Sequence, residues 1–247
     1  MPNTIVLLIG SPTIESEKMS AKLGHVLIIP DGNRRWAKEH KHTYEEAYKI
    51  GAEEITPLIT QFFLIEGRAT ELTFFAIARN NILKRDIGEE IMPILEVQKE
   101  MYKRFSRRPD FEAAGIRFRH IGDDELLPPD YLDALKELEE TSKNRTGPRC
   151  NFLCAYDGEW ELAKAFNNGM LKAGTTLNPD ITPYLYLDSN IDLVIRSGFE
   201  HRLSSCPLVQ MAHAELYFAD FHYPEYTKEK LDEILEEYEQ KERRYGR

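Results

Sequence analysis

One stretch limits the folds open to this chain more than any other. Val26-Leu27-Ile28-Ile29 is a short apolar run that stops at Pro30-Asp31-Gly32-Asn33 and gives way to the basic, helix-competent segment Arg34-Arg35-Trp36-Ala37-Lys38. An apolar run of that length bounded by turn residues reads as a buried strand, and Asp31-Gly32-Asn33 supplies turn chemistry and a helix cap. The prediction is a strand, a tight turn and a helix start, with the polar residues at the strand's carboxyl end. Helix N-termini carry unpaired N–H groups and a partial positive charge that suit phosphate. Arg34 and Arg35 add guanidinium donors, and Asp31 adds a carboxylate able to hold a divalent cation. The stretch thus has the parts of a metal diphosphate site, although the same residues also describe an ordinary turn before a solvated basic helix face.

Two further polar segments follow apolar runs in the same way. Glu71 to Ala78 is β-rich and leads into Arg79-Asn80-Asn81-Ile82-Leu83-Lys84-Arg85-Asp86, read as a basic loop. Asp192 to Ile195 is a short buried strand that delivers Arg196-Ser197-Gly198-Phe199-Glu200-His201-Arg202-Leu203-Ser204. Apolar periodicity predicts helices over residues 43 to 65, with Thr43 as cap and a kink at Pro57, and over 86 to 105, 128 to 144, 159 to 171 and 227 to 244. Ile116 to Ile121 reads as a half-exposed strand, and Arg149 to Tyr156 and Ala214 to Ala219 bring the count to about six. Strands alternating with helices predict an α/β fold, a mainly parallel sheet of about six strands flanked by helices. Ligands in such sheets bind at the strands' carboxyl ends, so the loops at 30 to 36, 78 to 85 and 196 to 204 should meet at one rim. The apolar face of residues 86 to 105 either packs on the sheet or lines a hydrocarbon tunnel.

Composition narrows the function. A formal net charge of −10 over 247 residues argues against general nucleic-acid binding, so any anion site must be a local basic pocket. Cys150, Cys154 and Cys206 are an odd number without a paired CxxC, which fits core positions in a reduced, cytoplasmic protein better than a disulfide framework or a zinc site. Ile5 to Ile9 is too short to span a bilayer, and the sequon Asn144-Arg145-Thr146 matters only in a secreted chain. Without a linker or repeat, residues 25–247 are expected to form a single domain after an N-terminal extension, residues 1–24. No GxGxxG follows a strand, which argues against dinucleotide binding.

The segment from His25 to Lys38, joined in order to Asp192 to Phe218, resembles the cis-prenyltransferases, the family of undecaprenyl and dehydrodolichyl diphosphate synthases. The resemblance runs from about His25 to the C-terminus. It implies a homodimer around a six-stranded parallel sheet, and magnesium-dependent condensation of an allylic prenyl diphosphate with isopentenyl diphosphate to give a cis product. The lipid product implies peripheral contact with membranes. Position by position, Asp31 matches the aspartate that binds magnesium and assists departure of the allylic diphosphate. Asn33 and Arg35 match neighbours that hold that diphosphate, with Gly32, Arg34 and Trp36 in the same motif and Trp36 more a packing residue than a catalytic one. Arg196, Arg202 and Ser204 match binders of the homoallylic diphosphate, flanked by Glu200 and His201; Glu215 matches a carboxylate of the metal site that helps complete the second site across the dimer. Arg244-Tyr245-Gly246 resembles a C-terminal Arg-x-Gly that reaches a partner's diphosphate.

The departures concern the proton. Where the family usually has Gly-His, this chain has Ala47-Tyr48; where it has Phe-Ser-x-Glu-Asn-Trp, this chain has Ile77-Ala78-Arg79-Asn80-Asn81-Ile82. Asn81 survives, Lys84 or Arg85 stands for the following arginine, and Val209 replaces a tryptophan. The missing histidine and serine belong to the group proposed to position a proton acceptor; alanine cannot serve, and neutral tyrosine is a poor base near pH 7. Either another group takes the proton and ordinary elongation survives, or the cation is captured differently, by irregular coupling of dimethylallyl units or by another acceptor. Cyclolavandulyl-type relatives also carry tyrosine there and a second arginine, as at Arg34. A non-catalytic partner subunit is a weaker reading, because such subunits generally lose the aspartate motif kept here at Asp31.

Overall fold

The computed structural model describes residues 23–167 and 181–241. At its centre β1 (Leu23–Ile29) pairs in parallel with β2 (Ala69–Ala78) on one side and β5 (Leu193–Arg196) on the other. β4 (Arg149–Tyr156) and β3 (Arg117–Ile121) extend the sheet beyond β2, and β6 (Glu215–Phe218) extends it beyond β5. The order is β3-β4-β2-β1-β5-β6, every pair parallel, as the alternation of strands and helices predicts.

Side chains alternate across a strand, so β1 feeds two cores. Val26 and Ile28 enter the larger, beneath the helices, while Leu27 and Ile29 enter the smaller on the opposite face. Each such side chain contributes roughly 1.5–3 kcal/mol on burial. An unbroken apolar run is the only pattern that satisfies both faces at once.

From β1 the chain enters α1 (Asn33–His40), then a helical run over residues 44–65, as predicted, in which α2 (Tyr44–Ile50) and α3 (Thr56–Thr60) alternate with π turns at Gly51–Ile55 and Gln61–Ile65. Thr43 caps it: its Oγ1 accepts from Glu46 N–H at 3.2 Å while Glu46 accepts from Thr43 N–H at 2.7 Å. The π turn at Gly51–Ile55 lies directly before Pro57, whose ring lacks an N–H. The predicted loop 79–86 is in fact helical: α4 (Arg79–Lys84) follows β2 without a break. Only Ile82 of α4 is buried, so the segment had no periodicity to read.

The remaining helices are α5 (Met92–Ser106), α6 (Pro109–Ala113), α7 (Pro129–Ser142), α8 (Gly158–Ala165) and α9 (Lys228–Gln240). The predicted ends at 171 and 244 and the apolar run Ile5 to Ile9 lie outside the described residues. Two bulges offset one another between β2 and β4. β2 carries an extra residue between Phe74 and Ile77, and β4 one between Cys154 and Tyr156, where Ala155 takes a φ of +52°.

The amino half of the sheet holds a buried polar chain. His25 Nε2 shares a hydrogen bond with Thr73 Oγ1 at 2.7 Å and its Nδ1 another with Ser189 Oγ at 3.0 Å, while Asn151 bridges Thr73 and Glu71. Burial holds the His25 imidazole below its ordinary pKa, against the opposing pull of Glu71. The unfolded chain therefore takes up a proton that the fold resists. This contribution is fully present above about pH 6.5 and is lost as pH falls through that value toward the lower folded pKa. The difference in unfolding free energy between wild type and His25→Gln, measured by urea denaturation, should shrink between pH 8 and pH 5.5.

Candidate active site

Chain direction reverses across β1: the connection to β2 runs to one side, and the chain later returns to place β5 on the other. A crevice forms outside the carboxyl ends at such a switch point. Here it is a cavity of about 610 Å3, with a polar mouth built by the segments after β1, β2 and β5 and an apolar interior between β2, α3 and α5.

The turn after β1 and the loop after β5 lock together. Ile29 stands beside Arg196 in the sheet, so Asp31 lies just beyond the strand end that carries this arginine. Ser197 Oγ donates to Asp31 carbonyl at 2.9 Å and accepts from Asp31 N–H at 3.1 Å. Gly32 has φ +97° and Gly198 φ +92°; a Cβ on Gly198 would meet Gly32 N and Asp31 C at 2.9 Å, and a Cβ on Gly32 would meet His222 Nδ1 at 2.4 Å. Only glycine permits this approach. Gly32 is the N-cap residue of α1 and provides no side-chain cap, contrary to the cap read from Asp-Gly-Asn; Asp31 Oδ1 instead turns back to accept from Gly32 N–H at 2.7 Å. The N-terminus of α1 is therefore open at the cavity mouth.

Charges converge on Asp31. Arg196 Nη2 donates to Oδ2 at 2.7 Å and Arg35 Nη2 to Oδ1 at 3.1 Å. Burial alone would raise the Asp31 carboxyl pKa, but the Arg196 and Gly32 hydrogen bonds and the charges of Arg196 and Arg35 outweigh it and hold it below the usual carboxylate value. Arg196 is buried, also bonds Ser204 Oγ at 3.2 Å and the Arg202 carbonyl, and leaves Nε without a partner in an otherwise paired setting. Glu200 bridges Arg35, at 2.9 Å, and Arg202. On the far lip Arg34 pairs with Glu90 at 2.6 Å.

Of the sequence-predicted site residues, Asp31, Gly32, Asn33, Arg34, Arg35, Tyr48, Asn81, Arg85, Arg196, Arg202 and Ser204 all line this cavity. Two predicted residues do not. Trp36 lies on the other side of α1 from Arg34 and Lys38 and stacks on His40 and His42, with ring centroids 4.7 and 5.0 Å apart, a packing arrangement outside the cavity lining. Glu215 opens β6 at the amino end of the sheet and pairs with Lys241 at 3.8 Å, so it does not join Asp31 in a metal site within its own chain. Arg244 lies outside the described residues. Lys38 and Gln98 line the cavity unforeseen. Lys38 was legible from its helical spacing to Arg34 and Arg35, and Gln98 from being polar on the apolar side of α5.

Tyr48 and Ala78 stand where the family usually has histidine and serine, and both line the cavity. Burial pushes the Tyr48 phenol above its ordinary pKa, and the charges of Arg34 and Arg85 only partly counter it. Tyr48 is neutral at physiological pH, with an O–H to donate in a hydrogen bond and no basic oxygen to take up a proton. Among the described residues no group of three or more His, Cys, Asp or Glu could form a metal cage. A single carboxylate at a phosphate-binding turn nevertheless suits Mg2+, which is commonly bound by one or two carboxylates and substrate phosphates.

An arginine-lined rim over an apolar interior, at the carboxyl ends of a parallel α/β sheet, suits ligands that join an anionic head to a hydrocarbon tail. A family model described as "Putative undecaprenyl diphosphate synthase" matches residues 29–246, and the chain belongs to that family, the cis-prenyltransferases. It is 32% identical to the tritrans,polycis-undecaprenyl-diphosphate synthase (geranylgeranyl-diphosphate specific) of Pyrobaculum aerophilum, over 90% of this chain and 95% of the relative. It is 30% identical to the ditrans,polycis-undecaprenyl-diphosphate synthase ((2E,6E)-farnesyl-diphosphate specific) of Pseudomonas putida, over 90% of each. The crystal structure of lavandulyl diphosphate synthase from Lavandula x intermedia in complex with dimethylallyl diphosphate superposes with a TM-score of 0.77 at 26% identity, over 91% of this chain and 98% of that one. The chain is a prenyltransferase. Family members condense isopentenyl diphosphate onto allylic diphosphates.

Replacing Asp31 by Ala would leave the buried Arg196 guanidinium with neither its carboxylate nor an acceptor in its place, so Asp31→Asn is the cleaner test. It keeps an acceptor but removes the anion, and kcat/KM should fall about a thousandfold. Near-normal turnover by a folded variant would rule out a central role for this carboxylate.

Proposed function

We propose that the chain ionises an allylic prenyl diphosphate and joins it to isopentenyl diphosphate, giving a cis-prenyl diphosphate. The carrying observation is the convergence of two arginine loops on Asp31 at the mouth of an apolar cavity. In this reading the open N-terminus of α1, Asn33 and Arg35 hold the allylic diphosphate, while Arg196, Arg202 and Ser204 hold that of isopentenyl diphosphate. Guanidinium forks suit both bidentately. Asp31 would hold Mg2+ with substrate oxygens, and the metal would supply charge neutralisation at the leaving diphosphate. Arg35 adds to that stabilisation as the C–O bond breaks. The prenyl tail lies along the apolar wall from β2 to α5.

Loss of a proton must follow. Tyr48, a neutral phenol, orients rather than deprotonates, and Asn81 offers an amide to the same cavity. The proton then goes to the departing diphosphate, the strongest base the reaction itself brings in. A homodimer fits the exposed edge strand β6 with Leu216 on its surface, and only across such an interface could Glu215 contribute. Buried free cysteines fit a cytoplasmic setting, and no helix among the described residues is long and apolar enough to cross a membrane. Contact with membranes would come through the lipid product.

A second reading, irregular coupling of two dimethylallyl units, is favoured by Tyr48 and Arg34 together in the cavity and by the likeness to lavandulyl diphosphate synthase. Mass analysis of products decides between them. Regular elongation requires isopentenyl diphosphate, and a product from dimethylallyl diphosphate alone would overturn it. Tyr48→His with Ala78→Ser, which restores an imidazole and a hydroxyl to the cavity, should raise the rate of elongation about tenfold. An unchanged rate and product profile would show that these two positions do not handle the proton.

A further inference from the structure

α5 turns an apolar face to the sheet through Leu95, Met101 and Phe105, and Gln98 interrupts it at helical spacing from the first two. Gln98 lines the cavity among Ile94, Val97, Met101, Phe74 and Phe152. Its amide is tied at both ends: Nε2 donates to the Ala76 carbonyl at 3.0 Å, and Oε1 accepts from Tyr131 hydroxyl at 2.7 Å. Because a carbonyl only accepts, the amide cannot be reversed. Ala76 lies where β2 carries its extra residue, so the carbonyl that Gln98 engages belongs to the bulge.

The other anchor is equally fixed. Tyr131 is buried, and its hydroxyl also meets Tyr102 hydroxyl at 3.2 Å and Cys154 Sγ at 3.4 Å. Gln98 is thus one end of a buried polar cluster that bridges β2, α5 and α7, and swinging it aside would break hydrogen bonds in the core. A glutamine amide has two N–H donors. One serves Ala76; the second has no partner among the described residues.

We propose that Gln98 is a specificity-determining residue, a polar rung across the prenyl cavity that makes the enzyme favour short allylic chains over long ones. The inference rests on the prenyltransferase reading above. A hydrocarbon tail lying against the free N–H strips it of water and offers nothing in return, which costs binding. A tail that ends before the rung avoids this cost. Ala76 is two residues from Ala78 at the rim, about 7 Å along an extended strand, so the rung is met early in the cavity.

The test is a series of kcat/KM values, with isopentenyl diphosphate in excess, for dimethylallyl, geranyl, farnesyl and geranylgeranyl diphosphates. The wild type should show a fall of about tenfold or more at one step of the series. Gln98→Leu, similar in volume but without the N–H, should remove the step and raise the ratio of longest to shortest substrate about tenfold. Tyr131→Phe, which frees the amide to turn, should move the ratio the same way by less. Flat wild-type values, or a step unchanged in a Gln98→Leu protein whose melting confirms its fold, would overturn the proposal. Should the leucine variant not fold, the wild-type series and Tyr131→Phe still decide. Absence of turnover with every allylic diphosphate would instead defeat the underlying reaction, and the rung with it.

Discussion

The carboxylate of Asp31 and the guanidinium of Arg196 meet because two neighbouring parallel strands end side by side, and the rest of the site is arranged around that meeting. The 2.7 Å contact needs β1 and β5 in register, the glycines at 32 and 198 so that the two backbones can touch, and Ser197 to tie the turn to the loop. Removing one partner of a part-buried pair leaves the other uncompensated, a cost of several kcal/mol. Sheet register and site chemistry are therefore one constraint: a slip of one residue between β1 and β5 would misplace both catalytic loops and turn every side chain of β1 to the wrong core.

The same contact explains how so many arginines share one cavity without repelling one another. Arg35 and Arg196 rest on Asp31, Arg35 and Arg202 on Glu200, and Arg34 on Glu90. Each of these four guanidiniums stands beside a carboxylate of its own chain. In the proposed reaction the diphosphate oxygens would take over these positions, so binding would exchange anions instead of neutralising a bare cluster. The exchange keeps the fork geometry of the arginines and limits reorganisation to the carboxylates. It also explains why an acidic chain, formally −10, can hold a strongly anionic ligand.

Much of this was legible in residues 25 to 38 and 192 to 204, because a strand buried on both faces must be apolar throughout and its polar sequel must lie at the rim. The convergence of the three segments after β1, β2 and β5 followed from that logic alone. Other features were hidden for physical reasons. α4 is too short, with Ile82 its single buried residue, to display a period. Trp36 shares a motif with Arg35 but not a helix face, since one residue along a helix rotates the side chain by about 100°. Glu215 stands at the far end of the sheet from Asp31, and only strand direction reveals which end of β6 it occupies.

The departures from the family pattern fall on one side of the reaction. In the proposed reaction Asp31, Asn33 and Arg35 keep the chemistry that ionisation of the allylic diphosphate requires, while Tyr48 and Ala78 lack a basic site. A base need not come from the protein when the first step creates one. In the proposed reaction, ionisation would release a diphosphate beside the new cation and its oxygens would take the proton, whereas a phenol whose pKa burial has raised stays protonated and offers no base. Selection on a side-chain base is then relaxed, and positions 48 and 78 become free to shape the cavity. Tyrosine fills more of it than histidine, and alanine less than serine. On the proposed reaction the exchanges at 48 and 78 would remove the base and reshape the cavity together, and product choice would follow from the volume and polarity of the cavity lining rather than from the acid strength of any one residue.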